Sequence, residues 1–115
     1  MNGAHVDLQQ LRIKHILLKS KVRSALYGGT FDSEFFSHTG PVSFWFNSTG
    51  LPKYGHVPEM QELSRINSEL NKVALSLVKL YKEGKIDLAH DGLKEVEYKS
   101  EQFLKLVSRL ETTLK

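Results

Sequence analysis

The sequence contains no cysteine. That absence removes disulfides, thiolate metal sites, iron–sulfur clusters and a cysteine nucleophile together. It also lacks a long apolar run, and none approaches the ~18–20 residues that span a bilayer. No signal-peptide pattern opens the chain, since Asp7, Gln9 and Gln10 interrupt its start. Charge of one sign is scarce: 16 basic residues face 13 acidic ones, a balance too mild to mark a nucleic-acid binder by itself. No glycine-rich phosphate loop, nucleophile elbow, His-Glu-x-x-His or Glu-x-x-His motif occurs. No carboxylate pair sits in apolar sequence that would tune a general acid. These absences point away from an enzyme, a membrane protein and a nucleic-acid partner. They leave a single soluble, cytoplasmic domain over residues 1–115 as the expectation.

What is present is helical periodicity, in three long segments. From about Asp7 to Tyr27, residues Leu8, Leu11, His15, Leu18, Val22 and Ala25 recur at steps of three and four and share one face. Ile13, Ile16, Leu17 and Leu26 widen that surface, which predicts two packing neighbours. Gly28-Gly29 ends the segment. A second helix is expected from Pro58 to Glu83, with Pro58 in the first turn, Glu59 and Glu62 at the positive end of the dipole, and Gly84 as the stop. Leu63, Ile66, Leu70, Val73, Leu77 and Leu80 form one stripe. Met60, Asn67, Asn71, Ala74, Val78 and Tyr81 form the adjacent one. A third helix is expected from Asp87 or Asp91 to Leu114, where Leu93, Val96, Ser100, Phe103, Val107, Leu110 and Leu114 keep heptad spacing.

Residues 28–57 hold five of the six Phe and the only Trp. That aromatic density demands burial and predicts one or two short helices packed across the bundle, not a flexible linker. Val42–Phe46 has strand propensity but no strand to pair with. The expected fold is therefore all-α, an up-and-down four-helix bundle with a short aromatic-rich helical segment between the first and second long helices.

Taken in order, several of these features resemble the chemoreceptor zinc-binding (CZB) domain, a bacterial four-helix-bundle sensory module of cytoplasmic chemoreceptors and diguanylate cyclases. The residues that carry the resemblance are His15-Ile16-Leu17-Leu18, Ser37-His38-Thr39, Trp45-Phe46 and Tyr54-Gly55-His56-Val57-Pro58. It covers about residues 8–110 and implies a homodimer and a protein partner in a bacterial signalling pathway. The family motifs are His-x-x-aromatic/aliphatic, Cys-x-apolar-Gly-x-Trp and His-x-x-x-His, four of whose side chains bind zinc. Counting from Trp45, Gly40 stands at the Cys position, and Asn67 and Asn71 stand at the two later His positions. Of the four ligands only His15 is retained, so the resemblance implies a vestigial site without zinc. The donor chemistry agrees, because zinc prefers thiolate and imidazole, whereas carboxamide oxygen is a hard neutral donor.

The candidate site residues are thus His15, Gly40, Trp45, Asn67 and Asn71. His15 reads as a core histidine with a hydrogen-bonded neighbour. Asn67 and Asn71, at i and i+4, are expected to form a hydrogen-bonded cluster with it in place of the metal. Alternatively, the missing side chain at Gly40 leaves room for a small molecule near Gly40 and Trp45. His38 and His56 lack the spacing that fixes two metal ligands on one helix. Arg12, Lys14, Lys19, Lys21 and Arg23 make the first helix basic. Pairing with acids such as Glu95, Glu97 and Glu101 explains this better than nucleic acid, since no exposed aromatics interleave for base stacking. The function expected is a non-enzymatic sensory or interaction module. A free-standing chain of this kind acts by binding in trans.

Overall fold

The face predicted for the first helix is buried in full: Leu8, Leu11, His15, Leu18, Val22 and Ala25 all lie inside helix α1, which runs Gly3–Ala25. The computed structural model describes residues 3–114, so the expected domain limits at Met1 and Lys115 lie just outside the described residues. The chain is all-α, with no strand among the described residues. After α1, a turn of 3-10 helix covers Ser33–Phe36. A continuous helical stretch then follows as α2 (Pro41–Trp45), a π-helical turn (Phe46–Gly50) and α3 (Leu51–Tyr54). The long helix α4 spans Pro58–Lys82, the short α5 Ile86–Asp91, and α6 Leu93–Thr113.

Four corners make the bundle: α1, the α2–α3 stretch, α4 and α6, each packed against its two neighbours. Side-chain pairs set the directions. Lys21 lies over Phe35 and Asp7 meets Tyr54, so the chain returns antiparallel to α1. Lys19 meets Glu97 and Gln9 meets Glu111, so α6 is also antiparallel to α1. Lys99 meets Glu69, while Glu62 and Ile66 border one groove with Leu106 and Arg109, so α6 is antiparallel to α4. The topology is up-down-up-down in a body of 47 × 24 × 21 Å. The aromatic segment therefore forms the fourth corner along the bundle and does not cross it as expected. Five of its aromatics and aliphatics (Phe35, Phe36, Val42, Trp45 and Phe46) are buried.

Local signals set most boundaries. Gly84 adopts a left-handed φ of 84° and closes α4 with Lys85 N–H donating to the Leu80 carbonyl at 2.9 Å. Gly28, at φ 97°, does the same work after α1. The third expected helix is divided at Gly92 into α5 and α6. Ala89 of α5 is buried, and His90 Nε2 bonds the Leu26 carbonyl, which pins α5 over the C-terminal end of α1.

α1 has the two packing neighbours expected of it, α6 and the α2–α3 stretch, but they do not cover all of its apolar surface. Leu26 is buried, but Ile13, Ile16 and Leu17 are 66%, 53% and 47% exposed. The α2–α3 stretch and α6 flank α1 on its inner side, and neither reaches the outer face. The charge expectation holds in kind but not in every residue. Lys19 and Arg23 pair with Glu97, and Arg12 pairs with Glu111 in place of Glu95 or Glu101.

Candidate functional site

The apolar periodicity of α1 turns His15 fully inward, where it is 0% exposed. Its ring stacks on Phe103 of α6, with centroids 4.2 Å apart and planes 9° from parallel. Its Nε2 shares a 2.7 Å hydrogen bond with Ser100 Oγ. Its Nδ1 is buried and has no partner. Burial pushes the imidazole pKa down to about 4; the nearby Lys19 charge adds to the shift and Glu97 opposes it. The group is therefore a neutral imidazole at physiological pH.

Asn67 and Asn71 share one face of α4, as their spacing predicts. They do not meet His15. Each donates its amide to the Ser43 hydroxyl of α2, at 3.4 and 3.5 Å. The expected His15/Asn67/Asn71 trio is thus divided into two hydrogen-bonded groups, His15 with Ser100 and the Asn pair with Ser43. α1 and α4 stand on a diagonal of the bundle, so each finds its polar partner on a flanking helix, Ser100 of α6 for His15 and Ser43 of α2 for the Asn pair. Both Asn Oδ1 atoms remain buried and unpartnered.

Trp45 is buried, with Nε1 unpartnered. Its ring meets Phe46 edge-on at 5.1 Å, and Phe46 meets Phe103 edge-on at 6.4 Å. With the His15–Phe103 stack this makes one aromatic chain from α2 through α6 to α1. The glycine against the indole is Gly50, where a Cβ would approach the Trp45 ring to 3.1 Å or less.

Gly40 offers no vacancy. A Cβ there would lie 2.6 Å from the Phe35 carbonyl carbon and 2.8 Å from the Glu34 oxygen. The backbone of the 3-10 turn passes directly over it, so the expectation of an empty side-chain volume at this position is corrected. An open groove of about 420 Å³ does border Gly40, beside Lys14, Asp32, Phe35 and Phe44, but Trp45 takes no part in lining it. A second groove of about 360 Å³ runs between α2 and α4 and includes Ser43, Asn67 and Asn71.

These residues do not fit zinc. Gly40 has no donor and no room for one, the two Asn offer neutral carboxamides, and His15 Nε2 is engaged by Ser100. Among the described residues no group of three or more His, Asp or Glu is arranged to hold a metal ion. No helix among them is long and apolar enough to cross a membrane.

Sequence reasoning missed two residues of the site, Ser100 and Ser43. Ser100 carried a signal, because it is the one hydroxyl in the apolar heptad of α6. Ser43 was legible only as the residue at the Gly position of the Cys-x-apolar-Gly-x-Trp pattern, and its partners were not, since the register of this short segment is set by packing.

The fold is thus that of an all-α bundle with two separate polar groups, His15 with Ser100 and the Asn pair with Ser43. Comparison with known protein families, curated proteins and solved structures finds no match to this chain.

Proposed function

We propose that this chain is a non-enzymatic sensory or interaction module of a bacterial, cytoplasmic signalling pathway. It resembles a chemoreceptor zinc-binding domain that keeps one ligand position, His15, and carries no zinc donor at the other three. One observation carries the reading. Among the described residues, the buried side-chain polar atoms without a partner are His15 Nδ1, Trp45 Nε1, Asn67 Oδ1 and Asn71 Oδ1. They belong to the four candidate residues that have side-chain polar atoms. Each such atom costs about 1–3 kcal/mol of desolvation, and buried polar groups are ordinarily satisfied. These atoms lie in two places, along the Trp45–Phe46–Phe103–His15 aromatic chain and beside Ser43, and there a ligand or a changed packing has most to satisfy.

The expected partner is a second copy of the chain, docked through the exposed Ile13, Ile16 and Leu17 of α1. Sedimentation velocity over a range of concentrations tests this. A dimer that Ile13→Lys with Leu17→Lys converts to a monomer supports it, and a strict monomer at high concentration overturns it. Zinc competition with a chelator is expected to show no tight site; one tightly held ion per chain would overturn the metal-free reading. The second reading is a small-molecule binder. The grooves beside Gly40 and between α2 and α4 favour it.

A further inference from the structure

The groove between α2 and α4 has an unusual lining. Its hydrogen-bonding walls are Ser43, Asn47, Ser64, Asn67, Ser68 and Asn71. Phe36, Phe46 and Leu75 supply apolar surface. His38 and Lys72 also border it, and both are exposed. No Asp or Glu lines it. The groove beside Gly40, by contrast, carries Asp32 and Glu34, and the one beside Tyr98 carries Glu97 and Glu101.

Chemistry narrows what such a lining accepts. A cation needs a carboxylate or an open aromatic face, and Phe36 and Phe46 are each only 2% exposed. Bound anions are held by charge-assisted donors, and the basic residues lining this groove, His38 and Lys72, are exposed to solvent, which screens them. Hydroxyl and carboxamide groups both donate and accept. A half-turn of either Asn amide exchanges Oδ1 and Nδ2, and Ser43 can then donate instead of accept. The trio thus accommodates a ligand group of either polarity, and a hydroxyl is the compact neutral group whose single atom both donates and accepts. The volume of about 360 Å³ lies at the small end of ligand sites, which suits one ring.

We propose that this groove binds a neutral, hydroxyl-rich molecule of single-ring size, a monosaccharide or cyclitol, held by Ser43, Asn67 and Asn71. The proposal rests on the small-molecule reading above and names the ligand class for it. The test is a titration followed by the side-chain amide resonances of Asn67 and Asn71. The probes are glucose, galactose and myo-inositol, with ethylammonium, acetate and inorganic phosphate as charged comparisons. A saturable shift of both amides, in the millimolar range, with at least one neutral probe is expected. Ser68→Trp, at an exposed position on the wall, should abolish that shift while the helical circular dichroism is unchanged. Shifts that persist in Ser68→Trp overturn the proposed location. Saturation by a charged probe alone overturns the ligand class but keeps the small-molecule reading. No saturation by any probe overturns both.

Discussion

His15 of α1 and Phe103 of α6 lie face to face, 4.2 Å between ring centroids. The imidazole is thus held flat against an apolar ring, with one nitrogen on Ser100 and the other without a partner. This geometry favours the neutral ring and penalises the charged one.

Acid should therefore loosen the bundle through His15. Its pKa is near 6.5 when unfolded and about 4 when folded, so the unfolded chain binds the proton first. The stabilising contribution is present above pH 6.5 and is lost as pH falls through 4. Between pH 7 and pH 4.5 this one group should remove about 2 kcal/mol. Urea denaturation at a series of pH values should show that loss in the wild type and not in His15→Gln. Parallel curves for the two proteins would refute it.

Gly40 should tolerate no side chain. Gly40→Ala places a methyl against the carbonyls of Glu34 and Phe35, which are backbone and cannot rotate aside. A loss of about 1–3 kcal/mol is expected from overpacking, and Gly40→Cys should fare no better. Thermal melting reads this directly; an unchanged midpoint would show that the 3-10 turn moves freely.

The Ser43 cluster should behave asymmetrically. Ser43→Ala alone leaves two partly buried amides without an acceptor and should cost about 1–3 kcal/mol. Ser43→Ala with Asn67→Leu and Asn71→Leu removes every member, including both unpaired oxygens, and should restore or exceed wild-type stability. A triple variant weaker than Ser43→Ala would show that the cluster organises the fold.

Asp7 should anchor the start of α1 to α3. Tyr54 donates its hydroxyl to Asp7 Oδ2 at 2.6 Å, and Lys53 lies 3.2 Å from the same oxygen. Burial and this bond raise the phenol pKa to about 12. Tyr54→Phe should cost about 1.5–3 kcal/mol, the range for a hydrogen bond to a charged group. It should also speed amide exchange in the first turns of α1 and not in α6. Equal acceleration in both helices would mean a global loss and no anchoring role.

Much of the bundle was legible in local pattern. The inward faces of α1, α4 and α6 follow from the 3.6-residue period, because burying one face of a helix is the same problem whatever packs against it. The stops at Gly28 and Gly84 follow from a left-handed turn that glycine adopts freely. The site was legible as residues but not as contacts. His15, Trp45, Asn67 and Asn71 were readable as candidates, and each has a buried, unsatisfied atom.

The sequence by itself determined where the helices run, which faces are apolar and that polar groups fall on an inward face. These are properties of single helices, written in spacing. Only the tertiary structure decided that His15 meets Ser100, that the Asn pair meets Ser43, that Ile13, Ile16 and Leu17 face outward, and that Gly40 lies beneath a backbone. Those outcomes depend on how far each helix is rotated and slid against its neighbours. Packing of the whole core sets that offset, and no local pattern encodes it.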